Sequence, residues 1–208
     1  MKKLSSGFSN MALVLTGISV IVAAILVLVY SITKEPIEAS KTAKQQHAVN
    51  EVLPSFTRLE GPESVEMEGG IFSIYKAYDT NHNLVGTAVE ASSKNGFNGE
   101  IKIIVGFDKE ANIVNYSILE QKETPGLGTK MTDWFKPAVQ TEQSLIEKVF
   151  GFEIETAERK SSIIGKNPEH DQLTVSKDGG QIDAITAATI TSRAFLEAIC
   201  AAYEVYIK

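Results

Sequence analysis

The stretch Asp183-Ala184-Ile185-Thr186-Ala187-Ala188-Thr189-Ile190-Thr191-Ser192-Arg193 carries the chain's most unusual grouping of reactive side chains. An acid is followed by small residues, and three hydroxyls (Thr189, Thr191 and Ser192) then crowd into one turn at the entrance to an apolar, helix-periodic segment. Two readings stand. A hydroxyl at that point can cap the free N–H groups of a helix start, which accounts for one hydroxyl and leaves the other two and the paired alanines unexplained. Alternatively, small neighbours present a hydroxyl for modification. A threonine alkoxide is not available at neutral pH, and no His or Lys lies in the same stretch to act as base. Reaction at such a hydroxyl should therefore not be self-catalysed.

A second stretch, Glu123-Thr124-Pro125-Gly126-Leu127-Gly128, joins one carboxylate to two glycines that allow close backbone approach. The loop Lys94-Asn95-Gly96-Phe97-Asn98-Gly99 lies ahead of it. Phe97 and Trp134 each read equally well as packing residues or as cover for a flat ligand. His47, His82 and His170 lack ligand spacing, so a metal centre is not expected. The single cysteine, Cys200, excludes an intramolecular disulfide, a four-thiolate zinc site and an iron–sulfur cluster. Redox chemistry, if present, must come from a cofactor without thiolate ligands.

These segments need a scaffold. The 208 residues suit one domain with an appendage, and 43% hydrophobic content is enough for a core. The formal charge is −6, without the Lys/Arg clusters that displace counterions from phosphates, so nucleic acid is not an expected partner. Residues 4–33 carry no charge, and Met11–Ile32 is almost wholly apolar. At about 1.5 Å per residue this run spans a hydrocarbon layer of about 30 Å. It exceeds the apolar region of a signal peptide and is not followed by a small-residue cleavage site, so an uncleaved anchor is expected. Lys2 and Lys3 precede the span, whereas all 26 acidic residues follow it with 18 of the 20 basic ones, a net of −8. The positive-inside tendency then leaves residues 1–10 in the cytoplasm and exports the rest, across a bacterial inner membrane, to the periplasmic or outer face.

After the span at 11–33, residues 34–53 read as a polar stalk helix with Pro36 near its start, and 55–70 as a turn-rich connector, so that 34–70 joins the membrane to a domain at 71–208. Two hairpins are expected, 71–78 with 84–89 and 101–107 with 113–118. Their loops, Asp79–Asn83 and Asp108–Asn112, share an Asp four residues before an Asn. Short helices are expected at 132–138 and 142–150, and a last strand at 172–175. Phe195, Ile199, Ala202 and Tyr206 form one apolar stripe on a helix over 188–206. The whole reads as an α+β domain with a twisted antiparallel sheet and flanking helices.

Asp183-x-x-Thr186-Ala187-Ala188-Thr189 resembles the flavinylation signature of the FMN-binding domain family, Asp-x-x-[Ser/Thr]-[Gly/Ala]-Ala-[Thr/Ser]. Glu123–Gly128 resembles a second hallmark, found in the G subunit of Rnf electron-transport complexes; anchor, loop 95–99 and both motifs occur in the family's order. The commonest family form has Gly where this chain has Ala187. The resemblance implies FMN joined through its phosphate to Thr189, attached by a separate Mg²⁺-dependent flavin transferase that draws FMN from FAD. It also implies partner subunits in a membrane complex that passes electrons between ferredoxin and NAD⁺ while moving Na⁺ or H⁺. The resulting phosphodiester anion suits a helix N-terminus. Thr186, Ala188, Thr191 and Ser192 are then expected around the attachment, with hydroxyl donors from Thr191 and Ser192. Glu123, Thr124, Gly126, Leu127 and Gly128 are expected near the ring. Arg193 either pairs with the phosphate or is a solvated helix residue; Asp183 either docks the transferase or is a surface turn acid. The C subunit of the Na⁺-translocating NADH:quinone reductase shares the motif and is the nearest alternative. A non-redox pilin-like or adhesive anchored module is the alternative from another class, and a stand-alone flavin reductase a third.

Overall fold

The computed structural model describes residues 7–67, 70–137 and 161–208. It forms two compact units, Met1–Gln45 and Gln46–Lys208. In the first, helix α1 (Phe8–Val52) begins. One 18-residue window of α1 has a mean hydropathy of 3.0 and none of it is buried, so this helix is long and apolar enough to cross a membrane. Ser31 and Thr33 donate their hydroxyls back to the carbonyls of Val27 and Val29 at 2.8 and 2.9 Å. Such back-bonds let polar side chains stay in an apolar segment. The stalk is not a separate helix: Pro36 lies inside α1, whose helical bonding resumes on both sides of the one N–H that proline lacks.

The second unit is built on one antiparallel sheet in simple meander order: β1 (Arg58–Met67), β2 (Gly70–Tyr78), β3 (Leu84–Gly96), β4 (Gly99–Phe107) and β5 (Ile113–Glu120). Both expected hairpins form, and the loop at 94–99 closes a third between them. The two Asp-x-x-x-Asn loops are nearly superposable in their bonding. Asp79 Oδ1 accepts from the N–H groups of Asn81 and Asn83, and Asp108 Oδ1 from those of Glu110 and Asn112. In each loop the residue before the Asn is left-handed, His82 at φ 63° and Ala111 at φ 64°. Residues 58–67, expected as a connector, are instead the edge strand β1. Its side chains are mostly exposed and include Arg58, Glu60, Glu63 and Glu66, so it lacks the alternation that marks a half-buried strand.

Period-2 alternation gives the sheet two buried faces. Phe72, Ile74, Val89, Ile101, Ile103 and Val105 face the C-terminal helix α3 (Thr189–Tyr206). Tyr75, Ala77, Ala88, Ile104 and Leu119 pack with Ala48, Val49 and Val52 from the end of α1. Gly106 permits this second packing, because a Cβ there would run into the Val52 carbonyl. On α3, Phe195, Ile199 and Ala202 are fully buried as the stripe requires. Phe195 stacks on Phe135 with centroids 4.6 Å apart and meets Tyr116 edge-on at 4.8 Å. Tyr116 donates its hydroxyl to the Met131 carbonyl at 2.7 Å, and burial holds its phenol well above the ordinary range. A one-turn helix, α2 (Met131–Trp134), is what forms from the helix expected at 132–138. Residue 138 and the helix expected at 142–150 lie outside the described residues. The strand expected at 172–175 reduces to one parallel bridge, Val175 to Ile182, which closes a short loop through the residues between them.

Candidate functional site

Three segments that are distant in sequence converge on one cavity of about 320 Å³. The β3–β4 turn contributes Phe97; the loop after β5 contributes Glu123, Thr124, Leu127 and Gly128; the start of α3 contributes Ala187, Ala188, Thr189, Ile190 and Thr191. Sheet and helix bring these ends together because α3 packs along β3 and β4.

Glu123 joins the three segments. Its side chain is only 5% exposed. Oε2 accepts the Thr191 hydroxyl at 2.6 Å, and Oε1 accepts the Asn98 N–H at 3.0 Å. Buried carboxylates need such donors, and these two tie the β3–β4 turn and the helix start to the 123–128 loop. Gly128 lies against this bond: an added Cβ would stand 2.6 Å from Glu123 Oε2 and 2.9 Å from Thr191 Oγ1.

At the other end, α3 begins without a side-chain cap, and Ala188 occupies the cap position. None of the three hydroxyls performs the capping that one reading of the sequence assigned to them. Thr191 donates to Glu123. Ser192 is fully buried, donates to the Ala188 carbonyl and accepts the Ile185 N–H, each at 3.0 Å. Both of these hydroxyl protons, expected as donors to a phosphate, are bonded within the protein in this structure. Thr189 is the partly exposed one, and its Oγ1 accepts from Lys177 Nζ at 3.3 Å. A first helical turn leaves its N–H groups without intrahelical partners, so Thr189 stands where backbone donors and a nearby ammonium favour an anion.

Of the remaining expected residues, Thr124, Leu127 and Ala188 line the cavity, whereas Thr186 and Gly126 do not. Thr186 is exposed on the turn before the helix, and Gly126 (φ 77°) forms the tight turn that gives its N–H to Thr129 Oγ1 at 2.9 Å. Arg193 is the exposed helix residue of the second expectation, and it grips Asp178 with Nε and Nη2 at 2.7 and 2.8 Å. That guanidinium holds the Asp178 carboxyl below the usual carboxylate range. Asp183 Oδ1 accepts the Ser176 hydroxyl at 3.1 Å, and its carbonyl accepts the Trp134 indole N–H at 2.8 Å. Trp134 therefore braces the motif from the core side. Cys200 is pushed up by burial and by Glu204 and Glu197, which leaves it a poor nucleophile.

Sequence reasoning missed Ile190 and Lys177. Ile190 is 48% exposed at the rim, with Phe97 at 65% and Leu127 at 40%. Large apolar side chains this exposed around one cavity mark a surface that a ligand covers. Ile190 was legible as the apolar residue between two hydroxyls. Lys177 was not, because its closeness to Thr189 depends on the fold of residues 174–183; the expectation of no nearby Lys fails in space. The Lys177 contact is still that of a donor, and a lysine ammonium has no lone pair with which to take a proton. An anion-favouring end with a hydroxyl, joined to an apolar cleft rimmed by Phe97, Leu127 and Ile190, fits a phosphate carrying an aromatic ring system.

Comparison with known proteins points the same way. Residues 96–204 match the family model described as FMN-binding domain, and residues 1–52 match the one described as RnfG N-terminal region. The chain is similar to the G subunit of the ion-translocating oxidoreductase complex of Aliivibrio fischeri, 28% identical over 202 residues that cover 90% of this chain and 85% of that one. It is similar to the protein of the same name from Methanosarcina acetivorans, 27% identical over 204 residues covering 96% and 95%. That of Shewanella piezotolerans is 34% identical over 123 residues, 57% of this chain and 48% of that one.

Proposed function

The chain belongs to the FMN-binding domain family, and from that premise we propose that it is the flavin-carrying, single-pass subunit of an ion-translocating electron-transport complex of the ferredoxin:NAD⁺ type. FMN is held by a phosphoester bond to Thr189. The observation that carries this reading is the Thr189 hydroxyl itself, on a partly buried residue at an uncapped helix start, beside Lys177 and on the wall of the cavity. FMN supplies electron transfer in steps of one or two electrons. The chain's own residues do the rest. Thr189 fixes the cofactor's phosphate end. Phe97, Leu127 and Ile190 cover the ring and keep water from it. Glu123 holds the three walls in register, and its carboxylate lines the cavity.

The similarity of residues 1–52 to the RnfG N-terminal region favours this complex over the Na⁺-translocating NADH:quinone reductase alternative. The domain faces the periplasm or outer side of a bacterial inner membrane, consistent with Lys2 and Lys3 ahead of the span. Covalent attachment suits that side, where a released cofactor is not replaced. Maturation requires a flavin transferase, and the partners are the other membrane and peripheral subunits. The test is in-gel flavin fluorescence after denaturing electrophoresis of wild type and Thr189→Ala, each co-expressed with a flavin transferase. A fluorescent wild-type band and a dark mutant band are expected. A dark wild-type band, with the transferase active on a control, sinks the covalent attachment at Thr189.

A further inference from the structure

The chain ahead of the attachment segment is folded so as to bring one cation to Thr189. Residues 174–182 form a loop closed by a parallel bridge: Ser176 N–H bonds the Ile182 carbonyl at 2.8 Å, Ile182 N–H bonds the Thr174 carbonyl at 3.1 Å, and Gly179 turns the chain at φ 84°. Lys177 lies at the tip of this turn and reaches Thr189 Oγ1 at 3.3 Å. Its neighbour Asp178 is gripped by both Nε and Nη2 of Arg193. Arg193 follows Thr189 by four residues, so both lie on one flank of α3. The clamp therefore fixes the turn that carries Lys177 against the helix start, and it also pairs the carboxylate that would otherwise compete for the ammonium.

This arrangement is a poor device for stability. An exposed lysine bonded to a neutral hydroxyl gives up side-chain freedom for little return. Its value rises once the hydroxyl oxygen bears negative charge, because charge-assisted bonds are roughly twice as strong as neutral ones. We propose that Lys177, held in place by the Asp178–Arg193 pair, is the cation that stabilises negative charge at Thr189 Oγ1 during attachment of FMN, and on the phosphodiester thereafter. The inference rests on the reading that Thr189 is the attachment residue. In the step concerned, Oγ1 forms a bond to the flavin-side phosphorus of a flavin dinucleotide, and the P–O bond to AMP breaks. AMP leaves with the electron pair, and the hydroxyl proton passes to a base of the transferase. Charge builds on Oγ1 and the phosphoryl oxygens, beside the Lys177 ammonium. Arg193 acts through Asp178 and is a positioning residue.

The test uses the full-length protein made without transferase and purified in detergent. It is then incubated with purified flavin transferase, Mg²⁺ and FAD, and attachment is followed by gel fluorescence and intact mass. Lys177→Gln is expected to slow attachment roughly three- to tenfold and to flatten its dependence on salt, since an exposed charge is screened. Lys177→Arg is expected to stay within about twofold of wild type, and Arg193→Gln to fall in between. A Lys177→Gln protein that melts with wild type yet is labelled at the wild-type rate, with the same salt dependence, overturns the role of Lys177 and leaves Thr189 standing. A wild-type protein that takes no label, or a Thr189→Ala protein that does, removes the underlying reading and the inference with it.

Discussion

Gly128→Ala tests the architecture of the cavity directly. The added Cβ would lie 2.6 Å from Glu123 Oε2, 2.7 Å from Glu123 Cβ and 2.9 Å from Thr191 Oγ1. Rotating Glu123 cannot relieve all three contacts, because its Cβ moves only with the backbone and Oε1 is held by the Asn98 N–H. Accommodation therefore requires the 123–128 loop to shift and the Glu123–Thr191 bond to lengthen or break. Overpacking of a tight site costs about 1–3 kcal/mol. Loss of a buried hydrogen bond to a charged acceptor adds about 1.5–3 kcal/mol. A combined cost of about 2.5–6 kcal/mol corresponds to a fall in melting temperature of roughly 5–20 °C for a domain of this size. The assay is thermal unfolding of the detergent-solubilised chain by circular dichroism, in wild-type and Glu123→Ala backgrounds. In the second background the bond is already gone, so Gly128→Ala should cost only the packing share. A Gly128→Ala protein that melts within a degree of wild type, or an equal cost in both backgrounds, refutes this account of the cavity.

Two further perturbations follow from the same geometry. Ala187 is left-handed at φ 62°, a conformation that costs an L-residue about 1–2 kcal/mol; Ala187→Gly relieves it against an unfolded-state penalty of about 0.4–1 kcal/mol. It is expected to be neutral to stabilising by about 1 kcal/mol in thermal unfolding, and clear destabilisation would contradict the backbone described. The Asp178 carboxyl is held below its ordinary range by Arg193, so the stability it contributes is fully present above the unfolded aspartate value and is lost as pH falls through the lower folded one. The difference in melting temperature between wild type and Arg193→Gln should thus be constant from about pH 5 to 8 and shrink below about pH 4.

What was legible in the sequence was local or periodic. The hairpin loops announced themselves because Asp79 and Asp108 bond N–H groups only two and four residues ahead. The final helix did so because burial of Phe195, Ile199 and Ala202 requires helical spacing. The convergence of Phe97, Glu123 and Thr189 was available only through resemblance, since the ordering of three segments on a sheet has no local signal. Strand β1 escaped because an edge strand keeps charged side chains on exposed positions, which makes it read as a connector. The fates of Thr191, Ser192 and Arg193 escaped for a different reason. Thr191 and Arg193 are decided by partners on other segments, Glu123 and Asp178, and Ser192 by local bonds to Ala188 and Ile185 that hydroxyl count alone cannot separate from an attachment site. Lys177 is the sharpest case, twelve residues from its partner and joined to it only by the turn at 174–182.

The central claim is that Thr189, among the neighbouring hydroxyls of Thr186, Thr191 and Ser192, carries the flavin. Tandem mass spectrometry of the proteolytic peptide spanning 178–193, from protein matured with a flavin transferase, tests it most directly. The account predicts one added FMN phosphoester on that peptide, with fragment ions that assign it to Thr189. Assignment to Thr186, Thr191 or Ser192, or an unmodified peptide from a sample whose control substrate is fully flavinylated, would contradict it.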